Sequence, residues 1–324
     1  MPDNKFLVPA ALQTTEANPF LEIKQTLNGM VDRCVPDPTV PPNADPNGTS
    51  SVLTKDLPLN PNHNTWLRLF LPRQAGKASP ATKLPLIVYL HGGGFVFSHA
   101  NSIIYDVLCK GIVTGVGAIV VSVEYRLAPK HRLPAAYEDA IEGLKWVRNS
   151  QDDWVRDYAD LSNCYICGTS AGGNLAYQAG LMATDLQPLK IKGMILHHPY
   201  FSGTQRTESE KKMAKDVLLP LHSIDKMFDL CLPIGADHDH EYCNPTANGG
   251  SKYIDRVKSL GWRILVTGMH GDPLVDKDME FANMLEEKGV HVVKFFSDGY
   301  HAMELFDPST APPLFAAIKE FIAA

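Results

Sequence analysis

Long apolar runs are missing from this sequence. Nowhere do about 18 apolar residues follow one another, the minimum for a membrane-spanning helix, so no membrane partner is expected. The opening residues, Met1-Pro2-Asp3-Asn4-Lys5-Phe6-Leu7-Val8, lack the continuous apolar core of a secretory leader. Cysteine is scarce: six in 324 residues are too few and too spread for the disulfide framework of a small secreted protein. A cytoplasmic, reducing setting is expected, and the glycosylation triplet Asn47-Gly48-Thr49 carries little weight there. Basic blocks are absent as well. With 30 basic and 36 acidic residues the formal charge is −6, and no stripe of Lys and Arg exists to track nucleic acid. No segment recurs at a period of roughly 20–50 residues, which excludes solenoids and propellers.

What is present is a chain long enough to bury a large core, read as one catalytic domain with appended elements. Asn18-Pro19 resembles an N-cap followed by proline in a first helical turn, and Phe20, Ile23 and Leu27 recur behind it at helical spacing. A short amphipathic helix is expected there. Pro36, Pro38, Pro41, Pro42 and Pro46 then make an extended connector. Residues 1–50 are therefore read as an N-terminal flap with its connector, and 51–324 as the catalytic domain.

Short apolar runs follow, at Trp66–Leu71, Leu86–Leu90, Ala118–Val123, Tyr165–Cys167, Met194–Leu196, Ile264–Val266 and His291–Phe296. Helical spacing occupies Leu133–Val147, Ser170–Leu181, Lys277–Glu287 and Pro313–Ile322. This β-then-α alternation predicts an α/β fold with a mostly parallel sheet, covered by helices on both faces. The interval near 204–233 has helical character and no strand candidate, and is expected to be a helical cap insertion.

Gly168-Thr169-Ser170-Ala171-Gly172 follows the run Tyr165–Cys167 and opens a helical pattern. A strand, a sharp turn between small residues and a helix are what a nucleophilic serine needs to expose its hydroxyl. His91-Gly92-Gly93-Gly94 follows the run Leu86–Leu90, and its consecutive glycines let backbone N–H groups face a substrate oxygen. Gly92, Gly93 and Gly94, with the N–H of Ala171, are the expected oxyanion hole.

A serine needs a histidine to take its proton and a carboxylate to orient that histidine, in the chain order Ser, acid, His. Asp272 and His301 each lie in a loop after a strand candidate, where open sheets place ligands. Asp272 is preferred to Asp276, which sits where the next helix starts, and Asp278 and Asp298 are weaker alternatives. His91 and the pair His197-His198 are read as structural histidines, although either ring of the pair is placed to border the pocket. Asp237-His238-Asp239-His240-Glu241 lacks metal-binding helix spacing and is read as a solvated loop. Cys164 and Cys167 lie on the strand feeding the elbow and are read as buried thiols. No metal and no cofactor are expected. Phe95, Val96, Phe97, Tyr200, Phe201 and Met303 are candidates for an apolar substrate pocket, with a core role as the competing assignment.

Together with Lys55-Asp56-Leu57-Pro58, Glu124-Tyr125-Arg126-Leu127-Ala128-Pro129, Leu133-Pro134-Ala135-Ala136-Tyr137 and Asn244-Pro245, these segments resemble a plant carboxylesterase of the hormone-sensitive-lipase-like branch of α/β hydrolases. The resemblance covers most of the chain. It implies an α/β-hydrolase fold, a triad of Ser170, Asp272 and His301, and an N-terminal helical cap over the site. It also implies a small-molecule ester as substrate; monomer and homodimer both remain open. Two departures stand out: Thr169 replaces the aspartate many relatives carry before the serine, and residues 18–32 match loosely. Related folds include gibberellin receptors, which lack the histidine, and catalysts of acyl transfer, elimination or cyclisation, so binding and non-hydrolytic chemistry are the competing functions.

Overall fold

In the computed structural model, residues 8–15, 18–26, 28–32, 36–75, 83–183, 186 and 189–324 are described. Among them an eight-stranded sheet runs in the order β1-β2-β4-β3-β5-β6-β7-β8. Its strands are β1 (Val52–Asn60), β2 (Thr65–Pro72), β3 (Leu84–Leu90), β4 (Ile119–Val123), β5 (Ala159–Thr169), β6 (Ile191–His197), β7 (Arg263–Met269) and β8 (His291–Ser297). The β1–β2 and β2–β4 pairings are antiparallel, and every pairing from β4 across to β8 is parallel.

The helices are α1 (Ile103–Val116), α2 (Ala135–Asn149), α3 (Asp153–Tyr158), α4 (Ala171–Met182), α5 (Glu208–Lys212), α6 (Leu221–Cys231), α7 (Ile254–Ser259), α8 (Val275–Glu287), α9 (Met303–Phe306) and α10 (Pro312–Ala323). Side chains alternate between the faces of a strand, and β3 shows the result. Leu86, Val88 and Leu90 join the core beneath α2, α4 and α8, whereas Ile87 and Tyr89 join the second core beneath α1 and α10. Burial on both faces, at about 1.5–3 kcal/mol for each large apolar side chain, explains why the central strands read as unbroken apolar runs.

The strand β1 and the helix α1 are among the elements that fall outside the apolar runs. The strand β1 is an edge strand whose first three residues are buried and whose later part carries Lys55, Asp56 and Pro58, the last two exposed, the composition that protects an edge. The helix α1, rich in Ile and Val, carries only one i,i+4 charge pair, Asp106 with Lys110 at 2.6 Å, and so shows little polar face in the sequence. Buried Arg68 on β2 ties this side together, pairing with Asp56 at 2.7 and 2.8 Å, with Asp106 of α1 at 3.2 Å, and donating to the Val40 carbonyl at 2.7 Å.

The amphipathic helix expected behind Pro19 does not form. Asn18 accepts from the Phe20 N–H at 2.9 Å, a single turn follows, and the chain then extends to an antiparallel bridge between Gln25 and Val31. Phe20 packs edge-on to Phe97 with ring centroids 5.5 Å apart. A helix of so few residues is marginal alone, and docking of Phe20 and Asn18 overrides its local signal. Leu27 lies outside the described residues. Among those described, the helical part of this segment is a 3-10 turn at Ala10–Gln13.

Candidate active site

The strand β5 ends at Thr169 and α4 begins at Ala171, leaving Ser170 alone on the turn with φ 57° and ψ −121°. For a residue with a side chain this backbone costs about 1–3 kcal/mol, so the surroundings must impose it. The Ser170 N–H donates to the His197 carbonyl at 2.8 Å, and the Ser170 carbonyl accepts from Gly173 at 2.8 Å and Tyr200 at 2.9 Å. Packing does the rest. A Cβ on Gly168 would lie 2.0 Å from the Gly172 carbonyl oxygen, and one on Gly172 would lie 2.0 Å from that of Leu90.

Loops after β7 and β8 bring the acid and the histidine to the same point. His301 Nε2 lies 3.0 Å from Ser170 Oγ, and its Nδ1 lies 2.6 Å from Asp272 Oδ2. With Nδ1–H donating to the carboxylate, Nε2 is left as the acceptor for the serine proton, an assignment made from the partners. Asp272 is fully buried, and its Oδ1 accepts from the Leu274 N–H at 2.9 Å. Burial alone would raise its pKa, but His301 and a hydrogen bond from His198 outweigh it and hold the carboxyl far below the usual carboxylate range.

The glycine loop after β3 lies against the elbow. A Cβ on Gly92 would meet Tyr105 Oη at 2.6 Å and Ser170 Cβ at 3.2 Å. Gly93 and Gly94 line the same cavity as Ser170 and His301, whereas Gly92 does not, and Ala171 opens α4 directly after the serine. His91 braces the loop: its ring stacks on Tyr125 at 4.1 Å, Tyr125 Oη donates to its carbonyl at 2.7 Å, and its Nδ1 lies 2.8 Å from the Gly92 carbonyl. Burial lowers its pKa, which favours the neutral ring.

The cavity holds about 600 Å³. Of the pocket candidates, Phe97 and Tyr200 line it, and Phe95, Val96, Phe201 and Met303 do not. Phe95 stacks edge-on against Tyr137, Phe201 against Tyr177, Val96 is wholly buried, and Met303 sits in a small cluster with Leu218, Met269 and Tyr300. The lining comes instead from segments that carry no recognisable motif: Leu12, Pro19 and Phe20 near the N-terminus, Leu218 and Leu219 before α6, and Met227 on it.

The remaining candidates resolve by their partners. Asp276 accepts from the Ser209 N–H at 2.7 Å and so ties α5 to α8, and Asp298 is exposed. Asp278 is buried, with burial and Asp272 pushing its pKa well up. Asp239 binds Thr204 and Asn244, and His238 faces Asp229 at 3.1 Å. Cys164 and Cys167 are buried free thiols, and burial pushes Cys164 up to about 12.

Glu304 was not singled out from the sequence. Its Oε2 lies 3.3 Å from His197 Nε2 and 3.6 Å from His198 Nε2, and His198 Nδ1 lies 3.2 Å from Asp272 Oδ2. Thr169 Oγ1 stands 3.0 Å from His197 Nδ1 and 2.8 Å from Tyr89 Oη, so the residue in the usual aspartate position feeds this buried cluster. The available signal was a lone carboxylate in the apolar run Ala302–Phe306, three residues after His301. The donor atoms of His197, His198 and Glu304 are close enough to hold a cation, but they already face one another as complementary acid and base groups.

A sequence model of the alpha/beta hydrolase fold matches residues 87–305. Carboxylesterase 20 of Arabidopsis thaliana is 43% identical over 94% of this chain and 95% of its own length. A 3-O-acetylpapaveroxine carboxylesterase of Papaver somniferum is 46% identical over 83% of this chain and 90% of its own. Among solved structures, an esterase of Pyrobaculum calidifontis superposes with a TM-score of 0.67 at 28% identity, covering 84% of this chain and 83% of that one. By fold and by these matches the chain is a carboxylesterase, and it belongs to the α/β-hydrolase family, in the plant carboxylesterase group of the hormone-sensitive-lipase-like branch.

Proposed function

We propose that the protein hydrolyses a small carboxylic ester of a plant metabolite through an acyl-enzyme on Ser170. The observation that carries this reading is the unbroken series Ser170 Oγ, His301, Asp272, with contacts of 3.0 and 2.6 Å. Ser170 Oγ attacks the ester carbonyl as His301 Nε2 takes its proton, and Asp272 stabilises the imidazolium. N–H groups of the glycine loop, Gly93 and Gly94 foremost, and of Ala171 hold the negative oxygen of the tetrahedral intermediate. Its collapse breaks the bond to the alcohol, which leaves with the proton from His301. Water then attacks the acyl group by the same route, and the acid departs as Ser170 recovers its proton.

A cavity of about 600 Å³ fits one ligand of small-metabolite size. An acetyl ester is in keeping with the name of the Papaver relative. A pure receptor has no use for a histidine 3.0 Å from the serine hydroxyl, so that reading is set aside. Acyl transfer to an alcohol uses the same acyl-enzyme and differs only in the acceptor. The residues that line the cavity from outside the sheet form the N-terminal and 204–233 parts of a cap in this reading.

The test is turnover of p-nitrophenyl acetate by the wild type and by Ser170→Ala, with mass spectrometry after treatment with a fluorophosphonate. Loss of turnover and of the covalent adduct together is the expected result. Equal rates would refute the mechanism, and product analysis with an added alcohol separates hydrolysis from transfer.

A further inference from the structure

Asp272 Oδ2 faces two imidazoles. One is His301, at 2.6 Å, and the other is His198, at 3.2 Å. His198 is fully enclosed, and its second nitrogen lies 3.6 Å from Glu304 Oε2, an ion-pair distance too long for a hydrogen bond. A buried ring that is hydrogen-bonded to one carboxylate and within ion-pair distance of a second is favoured in its doubly protonated, cationic form. His197 differs. Its Nε2 faces Glu304 at 3.3 Å, but its Nδ1 lies 3.0 Å from the Thr169 hydroxyl, a group that can donate to a neutral ring and has Tyr89 Oη 2.8 Å away as a second partner.

This inference rests on the reading of Ser170, Asp272 and His301 as a triad. We propose that His198 and Glu304 are positioning residues for it: cationic His198 holds the Asp272 carboxylate by a second hydrogen bond, and Glu304 cancels that added positive charge, so that Asp272 keeps its full pull on the imidazolium of His301.

The reason lies in charge balance. His198 alone against Asp272 makes a neutral pair, and a neutral pair attracts an imidazolium weakly. Glu304 restores a net charge of −1 to the buried group, which becomes neutral when His301 takes the serine proton. The environment agrees with this assignment. Burial opposes a charge on His198, yet Asp272 and Glu304 raise it to about 9. His197 is lowered to about 4 by burial and by cationic His198. The other groups on the packed elements add little charge: Asp278 of α8 is pushed well up by burial and Asp272, Asp216 before α6 is pushed up by burial, and burial keeps the Tyr300 phenol protonated.

The experiment compares Glu304→Gln, His198→Asn and the double variant in full-length protein with p-nitrophenyl acetate. Each rate is normalised to active sites counted with a fluorophosphonate. The acid limb of the kcat/KM profile reports the general base. Removing the negative charge of Glu304 disfavours the imidazolium, so the limb moves to lower pH by about one unit. Removing the positive charge of His198, with Asn keeping one N–H donor, moves it to higher pH by a similar amount. The double variant returns the limb close to its wild-type position, and Glu304→Asp leaves it there. Limbs that stay in place or move in the same direction overturn the proposal, as does a rate loss explained wholly by fewer active sites.

A second measurement needs no variant. In ¹⁵N-histidine spectra of the wild type, one imidazole is expected to carry protons on both nitrogens at pH 7.5, and finding every ring neutral overturns the proposal. A Ser170→Ala protein that still turns over the ester would instead refute the triad reading beneath it.

Discussion

The cavity has two kinds of wall. Its sheet side consists of Gly93, Gly94, Ser170, His301 and the buried groups behind them, where Asp272, His198, Glu304 and His197 face partners at 2.6–3.6 Å. Its added side includes connector residues 36–39 and, beside them, Leu12, Pro19, Phe20, Leu218, Leu219 and Met227, apolar side chains held by few polar bonds. Those few join the N-terminal segment to the stretch leading through α6: Asn18 Nδ2 donates to the Leu218 carbonyl at 2.9 Å, and Lys226 Nζ donates to Gln25 at 2.5 Å. Polar contacts lose their strength over tenths of an ångström, whereas apolar contact tolerates repacking. In the proposed reading, the chemistry therefore belongs to the sheet side, and the choice of ester to the added side.

The largest effect belongs to the sheet wall. Asp272→Asn leaves the geometry but removes the charge and favours the wrong tautomer of His301, so kcat is expected to fall by about 10⁴ with KM little changed. Steady-state kinetics on one small ester checks this. A fall of tenfold or less would show that the sheet wall is as tolerant as the added wall.

The same buried groups give the fold a pH optimum. His197 has a folded pKa near 4, below the ordinary 6.5, so its contribution is present above pH 6.5 and lost as the pH falls toward 4. His198 has a folded pKa near 9, above 6.5, so its contribution is complete below pH 6.5 and lost as the pH rises toward 9. Each limb is worth on the order of 3 kcal/mol. Thermal unfolding midpoints are expected to peak near pH 6.5. His197→Asn should flatten the acid side and His198→Asn the alkaline side, and a wild-type profile that is level from pH 5 to 8.5 would contradict both assignments.

The two walls were not equally legible in the sequence. The central strands announced themselves because burial on both faces demands continuous apolar runs, and the elbow because close backbone contact demands Gly168 and Gly172. Asp272 and His301 could be proposed from the sequence because each follows a strand in the chain order a Ser-acid-His series has, and the structure places them 2.6 Å apart. Glu304 left only the faint mark of a lone carboxylate in an apolar run, since it lies on α9 while its partners lie at the end of β6, and their relation is one of distance, not of spacing. Residues 18–26 differ from their local signal: Asn18, Pro19 and Phe20 carry a helix start, yet a single turn forms, with Phe20 packed edge-on against Phe97 and its N–H bonded to Asn18. An apolar wall has no motif, because many side chains of similar volume would serve.

That freedom sets the smallest and most discriminating prediction. Phe20 lines the cavity and rests edge-on against Phe97. In Phe20→Ala a bulky apolar acyl or aryl ester loses one aromatic contact, worth about 0.5–1.5 kcal/mol, so kcat/KM should fall by up to about tenfold. The loss is expected in KM, because the contact is made equally by the bound ester and the transition state. An acetyl ester too short to reach Phe20 should react within about twofold of the wild-type rate, since less than half a kcal/mol is at stake. If instead both esters lose kcat alike, the added wall takes part in holding the reacting groups, and the division between a wall for chemistry and a wall for choice fails.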